Sequence, residues 1–228
     1  AAEQRAAAEQ RARARAIERA AWLWRKAPRH HDRGAAYLAG RGLEPAELER
    51  RNLVRYNLAG DPLVALRNAV GDVINVITRW IAPGDGPKVT GLADAPTMGT
   101  IGMSIRRLPV AGAATIITEG VADTLAAALA WPGAIVIGAH GADNMPAIAK
   151  YAAQRVARGA ELLRLVPHRD KPTPRAPQGV GRQAAERGRE EAIAAGLAAD
   201  RIELLELEHK DLADAFVAGW RPTTSRPA

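Results

Sequence analysis

The 228-residue chain has no cysteine, one phenylalanine and three methionines, and its aromatics are confined to five Trp, three Tyr and that single Phe. Without cysteine there is no disulfide scaffold, no thiolate nucleophile and no Cys-ligated zinc or iron–sulfur site in this chain. With so few rings, Leu, Ile, Val and the abundant Ala must fill the core, which favours close helix packing. Long apolar runs are missing too. The longest uncharged stretch, Thr124 to Ala139, is short and broken by Pro132 and Gly133, so no transmembrane helix is expected. The first residues are charged, which is unlike a secretory signal, and a cytoplasmic location is expected. The chain opens on Ala1-Ala2-Glu3 rather than on a methionine, as a fragment of a longer polypeptide would.

What is present suits a folded protein of one large domain or two small ones. Hydrophobic residues make up 47% and charged residues 25%, which excludes global disorder. Lys and Arg number 32 against 25 Asp and Glu, for a net charge of +7. The excess is concentrated at the start: residues 1–33 carry nine basic side chains and four acids. A polyanion would gain from that field through counterion release; a solvated Ala/Arg helix is the alternative. Residues 1–27 repeat Glu-Gln-Arg (3–5, then 9–11) among alanines and stop at Pro28, the composition of a helical arm.

Residues 34–112 read as a small α+β subdomain. Tyr37 to Leu43 and Glu44 to Glu49 suggest a turn and short helix, Val73 to Ile81 is a β-branched run bounded by glycines, and Pro83 to Gly102 is mostly loop. From residue 113 to about 220 short apolar runs alternate with helical stretches. Strands are predicted at 114–118, 134–137, 162–166 and 202–207. Helices are predicted at 121–131, 144–158 with Asn144 as N-cap, 181–195 closed by Gly196, and 211–218. Such alternation with short links predicts a parallel four-stranded sheet flanked by helices, and residues 221–228 form a tail.

An open parallel sheet presents its crevice at the carboxyl ends of its strands. There the sequence places Glu119-Gly120, then Gly138-Ala139-His140-Gly141, then His168-Arg169-Asp170, then Glu208 to Asp211 with Asp214 a turn later. Three of the four edges carry carboxylates in a basic protein. Clustered carboxylates are relieved by raised pKa values or by a bound cation, and oxygen ligands without cysteine point to Mg²⁺ or Mn²⁺.

These residues resemble the Toprim domain shared by DnaG-type primases, topoisomerases and some nucleases. Its first motif, a Glu-Gly after a strand with an acid three residues beyond the Gly, is matched by Ile116-Ile117-Thr118-Glu119-Gly120-Val121-Ala122-Asp123. Its second, Asp-x-Asp followed by a Gly that opens a small-residue helix, is matched by His168-Arg169-Asp170 and Gly181-Arg182-Gln183-Ala184-Ala185. Two features depart from the pattern. His168 stands at the first Asp, or else Asp170 is that first Asp and Pro172 replaces the second; and a Pro-rich insertion, Lys171 to Val180, precedes the helix. Upstream, Tyr37-Leu38 and Arg41-Gly42-Leu43, with Gly71, Arg79 and Lys88, are similar to the segment opening the primase core. The resemblance covers residues 35–215 and is nearest to primase-like Toprim proteins of phages, plasmids and integrated elements.

The resemblance implies a Rossmann-like Toprim fold and RNA primer synthesis on single-stranded DNA from nucleoside triphosphates, with a replicative helicase as a further partner and no membrane role. It implies Glu119 and Asp170 as catalytic residues. Glu119, Asp170, Asp211, Asp214 and His168 would be metal ligands and Asp123 a secondary residue, while Arg79, Lys88, Arg106, Arg107 and Arg182 would face nucleotide or DNA. Each has a structural rival. Glu119 and Asp123 fit a helix N-terminus, Asp211 fits an N-cap with Asp214 in the first turn, and His168 fits a strand end. Arg182, with Arg187 and Arg189, fits a solvated face, and Trp22 and Trp24 fit anchors that hold the arm to the core. A Toprim nuclease and a non-catalytic DNA-binding module are the competing functions.

Overall fold

The computed structural model describes residues 2–68, 71–82, 84–95, 114–156 and 162–221. These fall into two compact units, one built from Ala1–Tyr37 and Pro45–Arg106, the other from Leu38–Glu44 and Arg107–Ala228.

The first unit begins with helix α1, Ala2–Lys26, rich in the strong helix formers Ala, Glu, Gln and Arg. Only Ala16, Ala20 and Trp24 are buried along it, a narrow inward stripe at helical spacing. Ala20 and Trp24 pack with Leu63, Ala65, Val73 and Val76 of the neighbouring sheet. The end of α1 is held from outside the helix: Arg55 donates to the carbonyls of Trp24 (2.6 Å) and Arg25 (3.1 Å) and lies over the Trp24 ring at 5.1 Å. A cation there satisfies terminal carbonyls and complements the helix dipole. Two short helices follow, α2 (Asp32–Gly40) and α3 (Pro45–Arg50). Then comes an antiparallel sheet in the order β1 (Arg55–Tyr56), β2 (Pro62–Arg67), β3 (Val73–Arg79) and β4 (Val89–Thr90). The expected strand at 73–81 is β3. Its partner β2 carries no strand signal in the sequence, because Pro62-Leu63-Val64-Ala65-Leu66 is buried throughout and shows no alternation. β4 falls inside the span read as loop; its two residues pair with Thr78 and Arg79.

The second unit has the expected parallel sheet: β5 (Thr115–Thr118), β6 (Ile135–Gly138), β7 (Leu163–Val166) and β8 (Ile202–Leu204), in the order β6-β5-β7-β8. β5 is buried throughout, as a central parallel strand must be. The helices are α4 (Val121–Ala130), α5 (Met145–Val156), α6 (Val180–Ala194) and α7 (Leu212–Val217). α5 packs on α6 and α4 on α7, and the α5–α6 approach is close enough that a Cβ on Gly188 would lie 3.3 Å from that of Ala149. Asn144 is not the N-cap of α5. It ends a 3-10 turn, Ala142–Asn144, and its side-chain amide donates to the Ala139 carbonyl at 3.0 Å, so local turn chemistry takes the side chain the cap would have used. β8 stops three residues short of the expected end, although Leu205 N–H still donates to Leu165 O. Among the described residues no helix is long and apolar enough to cross a membrane.

Candidate functional site

The carboxyl edge of the parallel sheet gathers an acidic cluster. Glu119 leaves β5 and Asp123 sits in the first turn of α4. His168 and Asp170 follow β7, and Asp211 and Asp214 open α7.

Asp123 is the hub. One oxygen, Oδ2, accepts from Gly120 N–H at 3.2 Å and lies 2.6 Å from His168 Nε2; the other, Oδ1, accepts from Ala213 N–H at 3.1 Å. One buried carboxylate thus joins the start of α4, the end of β7 and the start of α7. Gly120 is required for this, since a Cβ there would lie 2.5 Å from Asp123 Oδ2. The other ring nitrogen of His168, Nδ1, faces Glu119 Oε1 at 3.5 Å. Burial opposes a charge on His168, but the hydrogen bond to Asp123 and the charges of Asp123, Glu119 and Asp211 outweigh it, lifting its pKa to about 9. Asp123 is the counterpart: burial pushes its pKa up, and His168 with the Ala213 N–H pulls it below the ordinary value. At neutral pH the pair is imidazolium and carboxylate.

Asp211 is the N-cap of α7, its Oδ1 accepting from Asp214 N–H at 2.7 Å. Arg41 completes this corner, with one guanidinium nitrogen 3.4 Å from Asp211 Oδ2 and another 3.0 Å from Asp214 Oδ1. In the sequence Arg41 stands out only as part of the Arg41-Gly42-Leu43 segment. The signal for its role was indirect: adjacent acids in a basic chain call for a cation, and Gly42 marks a close approach. Gly42 has φ +70° and a Cβ there would meet Val217 N at 2.6 Å.

Glu119 and Asp170 flank the start of α6. Asp170 Oδ2 accepts from Gly181 N–H at 3.0 Å. A Cβ on Gly181 would lie 2.6 Å from His168 O and 2.8 Å from Glu119 Oε2, so only glycine lets α6 begin against both. Burial, then Asp170 and Asp123, raise the Glu119 pKa against the pull of His168. Burial and Asp123 likewise raise that of Asp211. Five carboxylates (Glu119, Asp123, Asp170, Asp211, Asp214) therefore meet two cationic groups, His168 and Arg41, and a negative balance remains.

Asp123, His168 and Asp211 each offer a ligand atom, all within 4.8 Å of one another. The donor set fits a divalent cation by charge and by chemistry. Two carboxylates with one imidazole suit Mn²⁺, which accepts nitrogen more readily than Mg²⁺ does, and the imidazole would give up its extra proton to bind.

The expected basic residues belong to both units. In the first unit Arg79 donates to the Tyr37 hydroxyl at 2.9 Å and to the Lys88 carbonyl at 3.1 Å, and lies over the Tyr37 ring; Lys88 precedes β4. Arg106 and Arg107 lie outside the described residues. In the second unit Arg182 shares a cleft of about 330 Å³ with His168, Arg169 and Glu208, and its guanidinium pairs with Glu186 and Glu206.

No family model matches the chain, and no curated protein matches it. Solved structures do. The primase of Aquifex aeolicus (zinc binding and RNA polymerase domains) is similar over 93% of this chain and 59% of its own, with TM-score 0.61 and 13% identity. The E. coli primase catalytic core is similar over 82% of this chain and 69% of its own, with TM-score 0.50 and 17% identity. At such identities the likeness is one of fold. The chain has the architecture of a primase-like Toprim protein, and it spans about three fifths of the Aquifex chain.

Proposed function

We propose that the chain is a DNA primase-type nucleotidyltransferase, making RNA primers on single-stranded DNA in the replication of a phage or mobile element, with Mn²⁺ or Mg²⁺ as cofactor. The observation that carries this reading is the convergence of Glu119, Asp123, His168, Asp170 and Asp211 at the carboxyl edge of a parallel sheet whose surrounding fold is that of primase cores.

In this reading a 3′-hydroxyl attacks the α-phosphate of an incoming nucleotide and pyrophosphate leaves. A bound ion, held by Asp123, His168 and Asp211 with Glu119 and Asp170 beside them, would stabilise the charge that gathers on the phosphoryl oxygens. The chain's own residues do the rest. Glu119 is partly withdrawn from water and its carboxylate is the more basic for it, which suits a group taking the proton of the attacking hydroxyl. Asp123 holds His168 in place, and Asp170 fixes the start of α6 next to Glu119. Arg41 holds the Asp211–Asp214 corner. Arg79, Lys88 and Arg182, with Arg106 and Arg107, are the cations for nucleotide phosphates and template, Arg182 on exchange of its pairing with Glu206. Nucleoside triphosphates and a replicative helicase are the partners this activity would need.

The test is product formation on single-stranded DNA with labelled nucleotides and Mn²⁺ or Mg²⁺. We expect short oligonucleotides, and their loss in Glu119→Gln. Equal yield from both proteins would remove Glu119 from the mechanism, and plasmid nicking without nucleotides would point to a nuclease. One observation favours a second reading, a DNA-binding module without catalysis: the His168 imidazolium already supplies a positive charge between Glu119 and Asp123. Retained DNA affinity with no product and no Mn²⁺ binding would establish it.

A further inference from the structure

The two tryptophans near the end of α1 part company. Trp24 is 3% exposed and anchors the helix to the sheet of the first unit, whereas Trp22 is 52% exposed. At about 100° per residue, Arg11, Arg15, Arg19, Trp22 and Lys26 fall within an arc of roughly 80°, on the side away from Ala16, Ala20 and Trp24. All five are exposed. None of the four cations has a carboxylate partner among the described residues; Arg11 donates only to the Ala7 carbonyl, and Glu18 borders the face without crossing it. From Arg11 to Lys26 the face runs about 22 Å. About half of the Trp22 surface stays in water, and four cations on one ridge without carboxylate partners among the described residues repel one another.

We propose that this face of α1 is a track for single-stranded nucleic acid, separate from the acidic cluster: the cations follow successive phosphates and the Trp22 ring stacks on an unpaired base. The pairing of one exposed ring with a file of basic side chains is the chemistry that single strands select, since every base offers a flat face and every nucleotide a charge. A duplex would engage the cations but leave the indole unused. An anionic membrane would require aliphatic side chains beside the tryptophan, and the face has none.

The test is fluorescence anisotropy of the whole chain with labelled oligothymidylate, oligouridylate and a duplex, without nucleotide or metal, so that it stands or falls independently of primer synthesis. Trp22→Ala should weaken single-strand binding about tenfold, and Trp22→Phe should restore most of it. Arg15→Gln with Arg19→Gln should lower the slope of log affinity against log salt by about 1.4. The stronger of the two oligonucleotide arms names DNA or RNA as the ligand. Unchanged affinity in Trp22→Ala, a duplex bound as tightly and losing as much in that variant, or a Trp22 effect seen only with phosphatidylserine vesicles would overturn the proposal.

Discussion

His140 shows how a single side chain can set a pH limit. It follows β6 in a left-handed conformation, φ +55°, and both ring nitrogens are buried with no hydrogen-bond partner among the described residues. Burial depresses its pKa to about 4. The sign is clear. Between 6.5 and about 4 the unfolded chain binds a proton that the folded chain refuses, so stability is complete above pH 6.5 and falls as the pH drops towards 4. The loss reaches at most about 3 kcal/mol. His140→Asn keeps a residue that tolerates positive φ and removes the imidazole, so in urea melts at neutral pH and at about pH 5 the variant should lose less stability than the parent. Parallel losses in the two proteins would clear His140 of the effect. His168 is the opposite case, a partly buried imidazole whose carboxylate neighbours raise its pKa.

At the scale of the element, α1 illustrates how one helix serves two purposes. Its inward stripe is so narrow that Trp24 carries most of the anchoring, with the Arg55 and Arg67 guanidiniums 5.1 and 5.6 Å from its ring. Trp24→Ala should cost about 3–5 kcal/mol, whereas Trp22→Ala two residues away should stay within about 0.5 kcal/mol, both read from chemical denaturation. Equal costs would contradict the burial that separates them. Helix α7 makes a related point: with six residues it has little stability of its own, and its first turn is organised by Asp211 from its own cap and Asp123 from α4. A capping role for Asp211 and membership of the acidic cluster are therefore compatible, and its expected rival roles coexist.

For the whole molecule, the surplus of carboxylates in the acidic cluster predicts linkage between ion binding and stability. A cation bound by the folded chain and not by the unfolded one raises stability by about 2.7 kcal/mol at a hundredfold excess over its Kd. For a chain of this size that is about 5–10 °C in Tm. Mn²⁺ should therefore raise Tm, EDTA should reverse the shift, and Asp211→Asn should reduce it. A Tm indifferent to Mn²⁺ at every concentration would remove the ion from Asp123, His168 and Asp211. The net charge of +7 acts at the same scale, drawing polyanions to the protein in a manner that salt weakens.

Local pattern carried much of this protein. Alternating apolar runs and helical stretches were enough to predict four parallel strands and their helices, because a helix with short links carries the chain back to the end at which the previous strand began, so that the next strand runs the same way. The strand-end motifs likewise placed Glu119, His168, Asp170 and Asp211 at one edge. Other features depended on atoms far apart in the chain. Whether Trp22 or Trp24 was the anchor turned on which indole met the β2–β3 surface. The central position of Asp123 came from hydrogen bonds to residues 45 and 90 positions away, and Arg41 reached its acids across 170 positions. Strand β2 was hidden because burial on both faces erases the alternation by which a strand is read. Periodicity records what one element needs from its surroundings; which partner supplies it is decided only when the chain packs.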